Sequence, residues 1–361
     1  MIRLLMIVHE MNRGGVENFI MNLYRTVDKN IIQFDFVEHT NRKCDFDDEI
    51  KVMGGEIYHC PDYRVINHFA YLKWWKLFLK THPEYKIIHS HLDSSANIHL
   101  RAAQKYGRIT IAHSHNTEEG TGIRAKVKKI LKTGFNNCCD YKFGCSEAAN
   151  KWLYNNQCDK AIVIKNGIVS SNYVFDIEKR KMFIDEFGLK DKTVIGSVAR
   201  FSHQKNHDFI IDVFTEYHKI NSDSVLMLVG DGELKQHISD RINDSDISDS
   251  VIFTGVRSDV ADLLNAFDLF LMPSFYEGLP VSIIEAQASG LKCLLSDVIT
   301  DETDITGLVE FMSLNEPPSA WAEKINLMLP YERLDTSAEL FESGYDIKAT
   351  ADYLTDFYCS L

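Results

Sequence analysis

Leu269-Phe270-Leu271-Met272-Pro273-Ser274-Phe275-Tyr276-Glu277-Gly278-Leu279-Pro280-Val281-Ser282-Ile283-Ile284-Glu285-Ala286 runs from an apolar tetrad through a loop into a helical pattern. The tetrad has the length and composition of a buried strand. Pro280 suits the first turn of a helix, where the missing N–H would be unpaired anyway. Glu277 therefore falls in the loop between them. Beyond it Val281, Ile284 and Ala288 recur at helical spacing, and Glu285 shares their face. A carboxylate on a mostly apolar face costs about 2–7 kcal/mol unless something hydrogen-bonds it, so Glu285 demands a partner. The start of that helix, with unpaired N–H groups and the positive end of its dipole, attracts phosphate. One acid beside a phosphate cradle and another behind it suit a ligand with hydroxyls on both sides of a diphosphate, the chemistry of a nucleotide-sugar. The plainer alternative is an acidic loop and a helix acid satisfied by a neighbouring side chain.

The same strand-then-helix alternation extends over most of the chain. Candidate strands are 3–8, 34–37, 87–90, 109–113, 141–144 and 161–164 in the first half, and 194–199, 225–229, 251–253, 269–272 and 292–295 in the second. Helical patterns fill the gaps, for instance 206–217, 258–266 and 281–289. Such alternation implies parallel sheets with helices on both faces. A polar stretch from Ser170 to Lys192 precedes a restart of the pattern at Thr193. The expected organisation is therefore α/β: two Rossmann-like, doubly wound parallel-sheet domains facing a central cleft. Residues 1–170 form the first domain, completed by an amphipathic C-terminal helix over 345–361. Residues 171–344 form the second, nucleotide-sugar-binding domain. Ligands of such sheets bind at the carboxyl ends of the strands.

The 361 residues are enough for two ordinary cores, and 45% hydrophobic with 25% charged residues is usual for a globular enzyme. A formal net charge of −13 argues against a general nucleic-acid binder. Eight cysteines show neither CxxC nor zinc-type spacing, no signal-peptide core opens the chain, and no apolar stretch reaches membrane-spanning length. These features lead to an expectation of a reducing cytoplasm.

Several smaller patterns carry chemistry. Gly14-Gly15 opens a helix after the first strand, where bare backbone can approach a phosphate or sugar closely. There is no G-x-G-x-x-G, which counts against a dinucleotide oxidoreductase. Arg200 and Lys205 flank the loop after the first strand of the second domain, a fork and a point charge for a diphosphate. His89/His91 and His113/His115 fall at strand ends, each pair projecting to one side. Each pair could bind zinc as in metal-dependent hydrolases, which would require a single barrel and further ligands; alternatively one histidine contacts sugar hydroxyls or phosphate. His89/His91 is read here as simple loop polarity. Asp45-Phe46-Asp47 and Asp244-Ser245-Asp246 match D-x-D but are read as solvated loops, so no metal is expected at the diphosphate. Residues 120–135 combine Arg124, Lys126, Lys128, Lys129 and Lys132 with apolar residues at helical spacing. They read as a helix for an anionic membrane surface. Residues 71–80 are a weaker candidate, because their aromatics more often belong to a core.

Taken together, Gly14-Gly15, His113, Asn166-Gly167-Ile168, Arg200 through Lys205, Gly230-Asp231-Gly232-Glu233 and above all Glu277-x7-Glu285 resemble glycosyltransferase family 4, the retaining, nucleotide-sugar-dependent enzymes of GT-B fold. The likeness spans nearly the whole chain. Glu285 to Leu291 and His113 to Thr117 resemble its capsule and exopolysaccharide branch. The resemblance implies a metal-independent hexosyltransferase without cofactor, moving a sugar from a nucleotide-sugar, UDP-linked by family habit, to a lipid-linked saccharide. It places the enzyme in the cytoplasm, on the inner face of the membrane. Arg200 and Lys205 would neutralise the diphosphate. Glu277 would hold sugar hydroxyls, helped by the backbone of Gly278 and Leu279. Glu285 would bind the ribose. Gly14 and Gly15 would face the diphosphate, His113 the transferred sugar, and the base would lie near Arg257. Val169 stands where the family often has Asp, and Leu291-Lys292 where Pro-Val is frequent. The alternatives are an inactive GT-B partner subunit of a two-component transferase and, on the His-x-His pairs, a zinc-dependent hydrolase.

Overall fold

β1 (Ile2–Val8) is a nearly continuous apolar run, buried from Leu4 onward, as a strand covered on both faces must be. It pairs in parallel with β2 (Ile32–Glu38), and Arg3 forks onto Asp35 of that strand at 2.7 Å through Nε. The computed structural model describes residues 1–93, 95–116, 132, 134–277 and 280–361 of the chain. These divide into two compact units, Met1–Gly167 with Ile347–Leu361, and Ile168–Asp346.

In the first unit β3 (Ile57–His59), β2, β1, β4 (Ile87–Ser90), β5 (Ile109–Ser114), β6 (Tyr141–Gly144) and β7 (Ile162–Val163) lie side by side in that order. All pairings are parallel. The second unit repeats the plan: β10 (Val251–Gly255), β9 (Ser224–Val229), β8 (Thr193–Val198), β11 (Leu269–Met272), β12 (Cys293–Ser296) and β13 (Val309–Met312), again wholly parallel. In both sheets the order reverses beside the first strand, between β1 and β4 and between β8 and β11. That reversal opens a crevice at the carboxyl ends, where doubly wound sheets take ligands.

Each unit has its own core. Tyr71, Trp75, Phe78 and Leu79 form the buried stripe of the helix His68–Thr81 in the first. The aromatics of segment 71–80 thus serve packing. In the second, Ile210, Ile211, Val213, Phe214 and Tyr217 of the helix His207–Ile220 cover one face of the sheet. Phe267, Phe270, Ile283 and Leu295 pack on its other side. The helix Ile347–Cys359 belongs to the first unit, where Tyr358 Oη lies 2.6 Å from His89 Nδ1. The pattern expected as one helix over 258–266 is a short α-turn, Val260–Leu263, continued by a 3₁₀ turn, Leu264–Ala266. No helix among the described residues is long and apolar enough to cross a membrane.

Candidate active site

The loops after β8 and β11 meet at the strand-order reversal of the second unit. Phe275 N donates to Gln204 O at 2.9 Å, and Asn206 Nδ2 donates to Pro273 O at 3.0 Å. Asn206 sits at φ +54°, a left-handed turn that asparagine tolerates and that starts the helix His207–Ile220. Held this way, Lys205 Nζ approaches Glu277 Oε1 to 2.6 Å, with the two side chains 16% and 5% exposed. Gln204 Nε2 donates to the other carboxylate oxygen at 3.1 Å and to Tyr276 O at 2.9 Å. A nearly buried carboxylate with one cation and one amide as partners is a rigid acceptor, suited to orienting hydroxyls beside a positive charge.

Arg200 is on the same loop but points outward, 73% exposed, with Nη2 3.0 Å from Glu233. The turn carrying Glu233 lies against this loop so closely that its glycines are obligatory. A Cβ on Gly230, at φ +138°, would come within 2.1 Å of Ala199 O, and one on Gly232 within 2.4 Å of Phe201 O. A guanidinium on an exposed arm can turn to an arriving diphosphate at little cost, since its surface ion pair is weak.

Glu285, on the helix Val281–Ala288, finds its partner in Tyr173, whose hydroxyl donates to Oε1 at 2.6 Å. Burial raises the Glu285 carboxyl above its ordinary range, and the Tyr173 hydrogen bond pulls it back. The second carboxylate oxygen remains for a ligand. Arg257 is held in place by Asp259, at 2.7 and 2.6 Å, and its guanidinium lies over the rings of Phe183 and Phe187. Gly278 and Leu279 lie outside the described residues, as does most of segment 120–135.

In the first unit, β4 and β5 are neighbours, and this puts the two His-x-His pairs side by side. His89 stacks on His91 at 4.4 Å and His113 on His115 at 4.2 Å. Across the strands His89 faces His113 at 5.3 Å. The reading of His89/His91 as loop polarity is corrected: both are buried, His89 beneath Tyr358 of the C-terminal helix and His91 stacked on His89. Both His113 nitrogens, and Nε2 of His89 and His91, are buried without a hydrogen-bond partner. His39 and His99, by contrast, share Tyr71 Oη at 2.8 and 3.1 Å and are satisfied core histidines. Burial holds His89 down to about 3 and His113 well below the ordinary imidazole value, so both are neutral. Nitrogens of His89, His91 and His113 gather within 4.8 Å. Their planes, however, lie within 35° of parallel, which sets the lone pairs abreast instead of converging on one ion. The two open sheets also remove the barrel that a zinc hydrolase needed. Phe19 lays its ring edge on His113 at 5.9 Å, and so joins the array to the helix Gly15–Thr26. Gly14 caps that helix start, and nothing lies within 4 Å of where a Gly15 Cβ would stand.

A second reading is also corrected. Asp47, assigned to a solvated loop, is 3% exposed and accepts from Cys44 N at 3.0 Å. Gln204 and Tyr173 are site residues that the sequence reading missed. Gln204 was accessible to it, because it lies in the same strand-end loop as Lys205. Tyr173 was not: it stands 112 positions from Glu285.

Two family descriptions match the chain: "Glycosyltransferase Family 4" over residues 13–171 and "Glycosyl transferases group 1" over 192–330. The chain is 33% identical to a protein of Bacillus subtilis, "Putative glycosyltransferase EpsF", across 99% of this chain and 96% of that one. It is 29% identical to the Escherichia coli "UDP-Gal:alpha-D-GlcNAc-diphosphoundecaprenol alpha-1,3-galactosyltransferase", over 62% of this chain and 60% of that protein. Among solved structures, Anabaena Alr3699/HepE in complex with UDP-glucose superposes with a TM-score of 0.70 at 17% identity, covering 99% of this chain and 95% of that one. That likeness establishes the fold.

Proposed function

Because this chain belongs to the family 4 glycosyltransferases of GT-B fold, we propose that it transfers a sugar from a UDP-sugar, with retention, to a lipid-linked saccharide in surface-polysaccharide assembly. The observation that carries the reading is the Lys205–Glu277–Gln204 triad at the strand-order reversal of the second unit. In this reading Lys205 and Arg200 take the diphosphate, Glu277 fixes sugar hydroxyls, and the free oxygen of Glu285 takes the ribose. His113, neutral and unpartnered, serves the transferred sugar, and Gly14-Gly15 faces the diphosphate, with open space at Gly15. The acceptor hydroxyl attacks from the face that the leaving phosphate vacates, and that phosphate helps to remove its proton. No enzymic nucleophile is assigned. Catalysis rests on stabilising the departing diphosphate, worth roughly 3–4 kcal/mol per well-placed donor.

The UDP donor and diphospholipid-linked acceptor are supported by the activity for which the Escherichia coli relative is named, and the donor also by the ligand of the Anabaena protein. The pathway is supported by the resemblance of 285–291 and 113–117 to the capsule and exopolysaccharide branch. In this reading the enzyme meets its lipid-linked acceptor on the cytoplasmic membrane face, with basic segment 120–135 as the contact. The test begins with a thermal-shift panel of UDP-, GDP- and ADP-sugars on purified protein. UDP release from the best donor is then measured with and without a polyprenyl-diphosphate saccharide. A UDP-sugar should raise the melting temperature, and acceptor should accelerate release. Selective stabilisation by a GDP- or ADP-sugar would refute the donor assignment. Binding with no turnover would point to an inactive partner subunit.

A further inference from the structure

Outside the donor site, one buried cluster brings two acids and a thiol together, with one oxygen of each acid lacking a hydrogen-bond partner. β2 ends at Glu38, whose side chain is fully buried. The chain then loops to Cys44 and enters the short helix Asp47–Val52, and Phe46 N, donating to Met11 O at 3.0 Å, ties the loop to the segment after β1. Glu38, Cys44 and Asp47 are 0%, 4% and 3% exposed, and each brings a ligand atom into a group lying within 4.8 Å.

The bonding of each acid leaves one oxygen without a partner, while Cys44 Sγ lies 3.7 Å from both Glu38 Oε2 and Arg42 O. Asp47 Oδ2 accepts from Cys44 N at 3.0 Å, while Oδ1 is buried with no partner. Glu38 Oε2 lies 3.7 Å from Cys44 Sγ and 3.8 Å from His59 Nδ1, while Oε1 is buried with no partner. His59 Nδ1 is already 2.8 Å from Thr40 O, its hydrogen-bond partner. No lysine or arginine forms an ion pair with either acid among the described residues. Two carboxylates this close in a low-dielectric site cannot both stay ionised unless a cation or a shared proton intervenes. A thiol with two carboxylates is a mixed donor set that favours zinc-like ions over calcium or magnesium, which take oxygen alone.

We propose that Glu38, Cys44 and Asp47 bind one zinc-type divalent ion, through the thiolate and one oxygen of each carboxylate, with a fourth position left to water. Ligands of a tetrahedral zinc lie roughly 3.3–3.8 Å apart; Cys44 Sγ and Glu38 Oε2 already stand 3.7 Å apart, and the whole group lies within 4.8 Å. The thiol proton, and the proton the two carboxylates share without metal, leave to solvent. The ion clamps the loop after β2 to the carboxyl end of that strand and is structural, separate from the transfer chemistry.

The test strips the full-length protein with chelator and titrates it with cobalt(II) and with zinc. One equivalent should bind, with a thiolate-to-cobalt charge-transfer band in the near ultraviolet, and zinc should raise the melting temperature. Cys44→Ser should abolish the band and weaken zinc binding at least tenfold. Glu38→Gln, isosteric and free of the buried charge, should fold without metal and lose the zinc-dependent rise. That variant keeps the proposal falsifiable if Cys44→Ser does not fold. The proposal is overturned if no equivalent binds, or if Glu38→Gln keeps the full zinc response. It is equally overturned if cobalt lacks the sulfur band and its binding is lost in His113→Asn instead, placing the ion on the histidines.

Discussion

At the residue scale, Lys205 and Arg200 are both cations near a diphosphate site, yet the structure assigns them different energetic roles. Lys205 neutralises a carboxylate that is 5% exposed, whereas Arg200 is 73% exposed. Removing one member of a buried pair strands the other and costs about 3–5 kcal/mol. Lys205→Met should therefore lower both the urea midpoint and donor turnover. Adding Glu277→Gln to it should restore the midpoint but not the turnover, because the repulsive stranded charge is gone while the site remains unbuilt. Arg200→Ala should leave the melting temperature unchanged and reduce turnover about 10²-fold, as expected for a group engaged mainly with the departing charge. Equal loss of stability in the Arg200 variant, or recovery of activity in the double variant, would refute these roles. Strand-end placement made both cations and Glu277 legible in the sequence. The partner of Glu285 was not, because Tyr173 reaches it only through tertiary folding.

At the element scale, long apolar runs such as β1, β8 and β9 could be read directly, since strands covered on both faces need little else. β3 and β13 could not: each is an edge strand of three or four residues, partly exposed, with no apolar run. The histidine array shows the same limit, because each His-x-His pair is visible but the adjacency of β4 and β5 is not. That adjacency has a consequence for acid stability. His89, His91 and His113 are buried neutral, with His89 held to about 3 and the other two well below the ordinary value. His39, about 4, and His99 behave alike. As pH falls below about 6.5 the unfolded chain takes up protons that the folded chain refuses, so stability falls with pH. Each such imidazole contributes roughly 1.4 kcal/mol per pH unit in its window, which for His89 runs down to about 3. Urea midpoints measured from pH 7 to 4 should drop steeply below pH 6, and His113→Gln should flatten the slope by one proton's share. A midpoint constant to pH 5 would contradict the neutral array.

At the scale of the whole molecule, the chain is two bodies, each with a complete sheet and an independent core. The first is closed by a C-terminal helix whose Leu354 and Tyr358 are buried in it. Separate cores permit separate unfolding, so a single stability value need not describe the chain. The residues assigned to diphosphate, sugar and ribose, Arg200, Lys205, Glu277 and Glu285, all lie in Ile168–Asp346. UDP should therefore act first on that unit. At a hundredfold excess over its dissociation constant it adds about 2.7 kcal/mol to whatever body holds it. Calorimetry should resolve two transitions and show UDP raising one of them. Proteolysis during the melt should identify the protected fragment as 168–346. Glu285→Ala, which removes the ribose carboxylate, should reduce that shift while leaving the other transition in place. If UDP raised both transitions equally, or protected residues 1–167 instead, the nucleotide would not be held by the second unit as the four side chains require.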